Sequence, residues 1–296
     1  MTNVAFLGLG AIGRPMARCV ANAGFDLTVW NRNGERSREF AATTAARAAS
    51  SPADAVRGAD VVVACLSTSQ NVASLLDGAD GILAGIARGT LFVDCTSGDP
   101  ATSARIAERL AGHDVAYLDA PVSGGVSGAE KGALTVMVGG DAAALERARP
   151  VLAAFGQKIV HCGAIGAGDA VKAMNNAMLA IHVWSTGECL AALARAGVDP
   201  AVALEVINAS SGRSNTSMNL FPERVLSRAF PRTFRLALLD KDVGIAAGVA
   251  REQKVPSPIL QLTAELFRMA HMELGEEADH VEAVKVIERL ANTEIR

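Results

Sequence analysis

The sequence predicts an α/β domain with a mostly parallel sheet over residues 1–164, followed by an all-helical domain over residues 165–296. Short apolar strand signals alternate with helical stretches through the first half, which is typical of a parallel sheet. Beyond residue 165 the strand signals stop. A long alanine-rich stretch without proline, Asp169 to Arg195, has helical spacing and is predicted to be the interdomain helix that joins the two domains.

The composition limits the classes of function. The chain has 296 residues, half of them hydrophobic, and a formal net charge of −3, which gives no electrostatic argument for binding nucleic acid or an anionic membrane. No apolar run approaches the roughly 20 residues of a membrane span. Five scattered cysteines without a CxxC pair favour reduced, mostly buried thiols in a cytoplasmic protein. No cluster has metal-ligand spacing, so no metal is expected.

A glycine motif follows the first predicted strand, Asn3 to Leu7, and precedes a helix and a second strand, Leu27 to Trp30. In this context G-x-G-x-x-G predicts a Rossmann dinucleotide site. The first glycine permits the tight turn, the second lets the backbone approach a pyrophosphate, and the third lets helix and strand pack closely. The residues expected to contact the cofactor here are Gly8, Leu9, Gly10, Ala11, Ile12 and Gly13.

The end of the second strand bears on the choice between NAD and NADP. An acid there would bind the ribose 2′-hydroxyl of NAD. The sequence has Asn31 and Arg32 instead, with no acid before Glu35. Because Arg32 can hold a 2′-phosphate with charge-assisted hydrogen bonds, NADP is favoured. The alternative is that Arg32 stacks on the adenine or is solvated, and that NAD is used.

Three further strand ends lead into polar turns. The strands Asp60 to Leu66 and Thr90 to Asp94 each precede a hydroxyl-rich turn, and ligands bind at the carboxyl ends of such strands. We expect these turns to line the cofactor cleft; the alternative is ordinary helix caps. After the strand Val115 to Asp119, the segment Ser123 to Gly125 presents a hydroxyl and backbone N–H groups suited to a carboxylate, or forms only a flexible turn.

Lys172 lies near the start of the predicted long helix, whose N-cap is expected to be Asp169 and whose end is expected at Gly197. Asn176 follows four residues later and shares its face. The positive end of the helix dipole and partial burial both favour a neutral lysine, which suits a general acid/base. The alternative is a solvated lysine in the first turn.

With these residues together, the chain resembles the β-hydroxyacid dehydrogenases, the family of 3-hydroxyisobutyrate dehydrogenase and tartronate semialdehyde reductase. The resemblance runs nearly end to end. It implies hydride transfer between NAD(P) and a small 3-hydroxy acid, such as 3-hydroxyisobutyrate, or its semialdehyde. The motifs that carry it are GLGAIGRPM at Gly8–Met16, DAPVSGG at Asp119–Gly125, GAGDAVKAMNN at Gly166–Asn176 and KD at Lys241-Asp242.

The resemblance also implies roles for individual residues. Lys172 matches the catalytic lysine, and Lys241 matches a lysine that reaches the nicotinamide region. The positions that match substrate contacts are Ser123, Gly124, Gly125, Asn175, Asn176 and, in a Ser-Gly-Arg segment like that of the hydroxyisobutyrate branch, Arg213. The further positions that match the cofactor cleft are Leu66, Ser67, Asn71, Thr96 and Ser97.

The sequence departs from the family pattern at three positions. Ile12 stands where most members have methionine, Ser67 where many have proline, and Asn215 where an apolar residue such as tryptophan is expected. The last leaves open a reductase of tartronate semialdehyde, succinic semialdehyde or a sulfolactaldehyde-like acid. An imine reductase is a further alternative, against which Lys172 argues, and a non-catalytic NADP-binding scaffold is the alternative from another class. The apolar helical half favours a homodimer or homotetramer.

Overall fold

The structure, a computed structural model, describes residues 2–296 and divides into two units with the break after Lys172. A nine-stranded sheet organises the first unit. Its strands are β1 (Asn3–Leu7), β2 (Asp26–Trp30), β3 (Arg47–Ala48), β4 (Val61–Ala64), β5 (Leu91–Asp94), β6 (Ala116–Asp119), β7 (Val122–Ser123), β8 (Leu134–Gly140) and β9 (Gly156–Gly163).

The strand order is that of a Rossmann sheet. The neighbours run β3-β2-β1-β4-β5-β6, and all five pairings between them are parallel. β8 then runs antiparallel to both β6 and β7, and β9 pairs parallel to β8. The prediction of a mostly parallel sheet is therefore confirmed, and the carboxyl ends of the first six strands lie at one edge.

The central strands are largely apolar because both of their faces are covered. On β4, Val61 and Val63 belong to the core on one side of the sheet, and Val62 and Ala64 belong to the core on the other. Side chains alternate between the faces of a strand, so a strand buried on both sides reads as a continuous apolar run. This is why these strands are visible in the sequence.

The helices that cover the sheet include several short ones that the sequence analysis missed. α2 buries only Ser37 and Phe40, and four others have six residues or fewer, which is too short for a helical period to show. The helices of this part of the chain are α1 (Gly13–Asn22), α2 (Gly34–Ala42), α3 (Pro52–Val56), α4 (Ser69–Ser74), α5 (Ile82–Gly85), α6 (Pro100–Ala111), α7 (Gly125–Glu130) and α8 (Ala142–Leu152).

The second unit is helical, as predicted. Its helices are the greater part of α9 (Ala167–Arg195), then α10 (Pro200–Asn208), a π-helix (Thr216–Leu226), α11 (Leu236–Glu252), α12 (Pro258–Leu274), a 3₁₀ turn (His280–Glu282) and α13 (Ala283–Ala291). Just before α11, the Thr233 and Phe234 N–H groups both donate to Asp279 Oδ2, at 2.8 and 2.9 Å. The π-helix was not predicted.

α9 corrects one expectation and confirms another. Its 29 residues are long and apolar enough to cross a membrane by length and composition, contrary to the expectation that no apolar run approaches a membrane span. One face of the helix, with Ala177, Ala180 and Val183, lies in the core of the second unit, so we assign α9 as a core helix. It ends at Arg195, and Gly197 follows with φ +83°, as the predicted stop requires.

The five cysteines are all free thiols, but they are less buried than expected. Only Cys95 is fully buried. Cys19, Cys65 and Cys162 are half-buried, and Cys189 is exposed on α9.

Candidate active site

The glycine turn after β1 has the geometry that the motif predicts. Gly8 has φ +104°, a conformation that side chains disfavour, and its N–H donates to the Trp30 carbonyl of β2 at 2.8 Å. A Cβ on Gly13 would overlap the carbonyl oxygen of Gly8. The turn and the start of α1 are thus packed backbone against backbone, which only glycine permits.

Asn31 links this turn to the end of β2. Its Oδ1 accepts a hydrogen bond from the Leu9 N–H at 3.0 Å, and its Nδ2 donates to the Asn33 carbonyl at 3.0 Å. Arg32, the next residue, is exposed. Asn31 therefore braces the glycine turn, whereas Arg32 is exposed at the strand end.

The turns after β4 and β5 are joined by a buried hydroxyl. Thr96 is 1% exposed, and its Oγ1 accepts from the Leu66 N–H at 3.0 Å. Ser67 is exposed and Ser97 half-buried beside them. Asn71 lies exposed on α4, where its Oδ1 accepts from the Thr68 hydroxyl at 3.0 Å. Leu66 and Thr96 are thus joined by one hydrogen bond, whereas Asn71 belongs to the cap at the start of α4.

The serine–glycine segment after β6 exposes its backbone. Ser123 ends β7, in register with Thr135 of β8, and is half-buried. Gly124 has φ +135° and caps the amino end of α7, and Gly125 is the first residue of that helix; both are exposed. A hydroxyl and two exposed glycines are therefore consecutive in the chain.

The start of α9 is held by two buried carboxyl groups, and here the predicted cap is wrong. Asp169 lies inside the helix, which begins at Ala167. The acceptor at the helix start is Asp119 at the end of β6, whose Oδ1 accepts from the Gly166 N–H at 2.7 Å and whose Oδ2 accepts from the Asp169 N–H at 3.0 Å. A carboxylate from a neighbouring strand thus satisfies N–H groups that a helix leaves unpaired.

The Asp169 side chain turns away from its own helix. Its Oδ1 accepts from the Gly98 N–H at 3.0 Å, and its Oδ2 accepts from the Ser103 hydroxyl at 2.6 Å. Lys172, three residues further along α9, is half-buried. The helical turn that carries the predicted catalytic lysine is therefore attached to the ends of β5 and β6.

Burial changes the acidity of these groups. Burial, together with the charge of Asp119, raises the pKa of Asp169 from 3.8 to about 8. Burial likewise raises the pKa of Asp94, which ends β5 in register with Asp119, to about 6. The pKa of Asp119 is also raised by burial, and its backbone hydrogen bonds oppose that shift.

In the second unit, a buried carboxylate connects two predicted site residues. Asn176, 4% exposed, donates through Nδ2 to Asp242 Oδ2 at 2.6 Å. Lys241 Nζ lies 2.9 Å from Asp242 Oδ1. The exposed Asn175 donates through Nδ2 to Asn176 Oδ1 at 3.2 Å. The amide of Asn176 is therefore fixed in orientation from both ends.

Arg213 lies apart from these groups along the chain. It is exposed in the loop between α10 and the π-helix, beside a turn in which the Ser217 hydroxyl accepts from the Ser214 N–H at 2.8 Å. Asn215 ends this loop and is also exposed.

Sequence reasoning did not identify the partners of three buried aspartates: Asp119, Asp169 and Asp242 are 1%, 1% and 2% exposed. The sequence does contain a signal for Asp119, which ends an apolar strand. A buried acid at such a position is seldom left without a hydrogen-bond partner. For the others the hydrogen-bond donors Gly98, Ser103 and Asn176 lie 66 or more residues away, which no local pattern indicates.

Comparison with known proteins agrees with this geometry. Residues 3–163 match the family model described as the NAD binding domain of 6-phosphogluconate dehydrogenase. Residues 166–287 match one described as NAD-binding of NADP-dependent 3-hydroxyisobutyrate dehydrogenase. The chain is 38% identical over 276 residues to the 3-hydroxyisobutyrate dehydrogenase of Pseudomonas aeruginosa, covering 91% of this chain and 92% of that protein. The chain belongs to the β-hydroxyacid dehydrogenase family.

Two further relatives broaden the comparison. The NAD-dependent L-serine dehydrogenase of P. aeruginosa is 38% identical over 275 residues, with 91% of this chain and 92% of that protein covered. The solved structure of the Mycobacterium tuberculosis 3-hydroxyisobutyrate dehydrogenase with L-serine has a TM-score of 0.88 and 30% identity, covering 97% of this chain and 99% of that one. This β-hydroxyacid dehydrogenase is therefore an NAD(P)-dependent oxidoreductase, and the predicted family, fold class and enzyme class are confirmed.

Proposed function

We propose that the protein transfers a hydride between NADP and the primary alcohol of a 2-substituted 3-hydroxypropanoate, with 3-hydroxyisobutyrate as the leading substrate and Lys172 as the general acid/base. The observation that carries this proposal is the placement of Lys172. It lies one turn beyond the buried attachment of α9 to the ends of β5 and β6, the edge of the sheet where the glycine turn and Thr96 also lie.

The proposed substrate class follows from what the relatives' substrates share. 3-Hydroxyisobutyrate and L-serine, named with these relatives, both carry a carboxylate and a CH₂OH group on one carbon, and differ there in a methyl or an ammonium substituent. The carboxylate would be held by the Ser123 hydroxyl and by backbone N–H groups of the exposed Gly124 and Gly125. Arg213 is assigned to the substrate on the family resemblance alone. Semialdehydes of related acids, including tartronate, succinate and sulfolactaldehyde-like compounds, are the second candidates.

In the proposed reaction the chain's own part is proton transfer. In oxidation the nicotinamide accepts the hydride from the CH₂OH carbon, and the neutral amine of Lys172 accepts the hydroxyl proton; in reduction the ammonium returns it. Asn176, four residues along α9, would orient the substrate oxygen with the amide N–H that is not donated to Asp242. Asp242 therefore acts on the reaction through Asn176, and it holds Lys241 as well.

The proposed preference for NADP rests on Arg32. It is exposed directly after β2, and no carboxylate occupies the position that would bind a ribose 2′-hydroxyl. One relative is named NAD-dependent, and one matching family model is described as NADP-dependent, so the two cofactors are to be compared directly. The other residues assigned to the cofactor are Gly8, Leu9, Gly10, Ala11, Ile12, Gly13, Asn31, Leu66, Ser67, Asn71, Thr96, Ser97 and Lys241.

The test compares Lys172→Ala with the unchanged enzyme on 3-hydroxyisobutyrate, L-serine, glycerate, threonate, 4-hydroxybutyrate and sulfonated analogues, each with NADP and with NAD. Acid/base catalysis contributes about 10²–10⁴ in rate, so kcat should fall by that factor on the best substrate. NADPH binding, followed by fluorescence titration, should be unchanged. Oxidation by the unchanged enzyme should rise with pH through one ionisation that the variant lacks, because only the neutral amine accepts a proton.

Two further variants sharpen the result. Lys172→Arg should not restore turnover, because a guanidinium does not release its proton near neutral pH. Lys158→Ala, which removes an exposed lysine from β9, is the matched control and should turn over normally. Near-normal turnover in Lys172→Ala that still binds NADPH would refute the proposed mechanism.

We also propose that the enzyme is a cytoplasmic homodimer or homotetramer. The second unit exposes large apolar side chains, among them Val206 on α10 at 61% and Ile259, Leu262 and Met272 on α12 at 56% to 81%. Exposed apolar side chains in this number favour a subunit interface. Light scattering of the purified protein tests this, and a monomer at micromolar concentration would refute it.

A further inference from the structure

The Asp169 carboxyl is a buried group for which the proposed reaction has no direct use. It is 1% exposed, and both of its oxygens accept hydrogen bonds from other elements, at 3.0 Å from Gly98 N and 2.6 Å from Ser103 Oγ. Gly98 lies in the turn after β5, and Ser103 lies in α6. This side chain therefore connects the first turn of α9 to the turn that follows β5.

A second carboxyl fixes the same helical turn from the opposite direction. Asp119, at the end of β6, accepts from Gly166 N and Asp169 N at 2.7 and 3.0 Å. The Asp119 carboxyl extends from β6 to the start of α9, and the Asp169 carboxyl extends from α9 to the turn after β5. The amino end of α9 is thus located relative to two adjacent strands at once.

Close packing leaves this attachment little room to shift. A Cβ on Gly98 would lie 2.9 and 3.0 Å from the two Asp169 carboxylate oxygens. A Cβ on Gly168 would overlap the Met137 carbonyl oxygen and lie 2.8 Å from Asp119 Oδ2. Because any movement of α9 here meets backbone or a buried carboxyl, its first turn has one well-defined position.

The turn after β5 is also tied to the predicted cofactor residues. Thr96, two residues before Gly98, accepts through Oγ1 from Leu66 N at 3.0 Å. Two hydrogen bonds, joined by the short backbone segment from Thr96 to Gly98, therefore connect Leu66 to Asp169, which is three residues before Lys172.

From this geometry we infer that Asp169 is a positioning residue: through Gly98 and Ser103 it holds the Lys172 turn of α9 in fixed register with the cofactor-binding turn after β5. The inference rests on the proposed function of Lys172. Asp169 touches neither reactant in this scheme. Its effect on the reaction comes from the place at which it puts the lysine amine, and a misplacement of about 1 Å can cost about 10²-fold in rate.

The test is a double-mutant cycle between Asp169→Ala and Lys172→Ala, with kcat, NADPH affinity and thermal unfolding measured for each protein. Asp169→Ala should lower kcat by about 10- to 100-fold in the folded enzyme. Asp169→Ala should cause no further loss of kcat in the Lys172→Ala background, because the lysine amine that Asp169 positions is absent there. Asp169→Asn should recover most of the loss, since its amide oxygen can accept from Gly98 and its Nδ2 can donate to Ser103.

A milder variant keeps the test informative if Asp169→Ala unfolds. Ser103→Ala removes one of the two attachments and should lower kcat about threefold to tenfold, again only when Lys172 is present. Normal kcat in both Asp169→Ala and Ser103→Ala would overturn the inference, as would equal losses with and without Lys172, which indicate a structural role only. Normal turnover in Lys172→Ala alone would instead refute the proposed function and this inference with it.

Discussion

The buried carboxyl of Asp169 should make the stability of this enzyme depend on pH, and Asp169→Asn should remove that dependence. Burial, then the charges of Asp119 and Asp94, raise the folded-state pKa of Asp169 from 3.8 to about 8. Between those two values the folded protein keeps a proton that the unfolded chain has released. The free energy of unfolding should therefore fall as pH rises through this window.

The magnitude follows from the number of protons involved. One proton retained only in the folded state changes the free energy of unfolding by about 1.4 kcal/mol for each pH unit. From pH 5 to pH 8 the unchanged enzyme should thus lose about 4 kcal/mol relative to Asp169→Asn, which has no proton to release at this position. The Asn side chain keeps the acceptor for Gly98, so the comparison isolates the charge.

The assay is urea unfolding followed by circular dichroism at pH 5, 6, 7 and 8 for both proteins. All other titrating groups are common to the pair, so only the difference between the two curves is interpreted. Asp26→Asn, which removes an exposed carboxyl from β2, controls for the change in net charge. If the plots of the free energy of unfolding against pH stay parallel for the two proteins from pH 5 to pH 8, Asp169 is ionised throughout in the folded enzyme, and the reasoning is refuted.

Three further predictions concern separate parts of the chain. Ser123→Ala should raise KM for the acid substrate and lower kcat/KM about tenfold without changing NADPH affinity; unchanged steady-state kinetics would remove its role. Arg32→Ala should weaken NADP binding by about ten- to a hundredfold and NAD binding little, whereas equal losses would contradict the 2′-phosphate contact. Asp279→Ala leaves the Thr233 and Phe234 N–H groups without their acceptor, and should lower the free energy of unfolding by about 2–4 kcal/mol in urea titrations; an unaltered midpoint would contradict this.

Much of the fold and part of the site could be predicted from local pattern. β1, β4 and β5 are largely apolar because both faces of the sheet are covered, and α9 is a long alanine-rich stretch without proline. The glycine turn is equally local, since the need for a positive φ at Gly8 and for close packing at Gly13 arises within six residues. Such features are visible in the sequence because their cause lies within one element and its immediate neighbours.

The sequence by itself therefore determined the Rossmann sheet, the helical second unit, the glycine turn and the position of Lys172 near the start of α9. Tertiary structure alone decided what holds that start. Asp169 is a residue type that often caps helices, yet its side chain accepts from the Gly98 N–H, 71 residues away. The N–H groups at the start of α9 are instead satisfied by Asp119 from β6. Likewise Asp242 becomes a partner of Asn176 only when two helices pack. A buried carboxyl is stable wherever the fold supplies donors, and the location of those donors is a property of packing, which short-range sequence pattern does not encode.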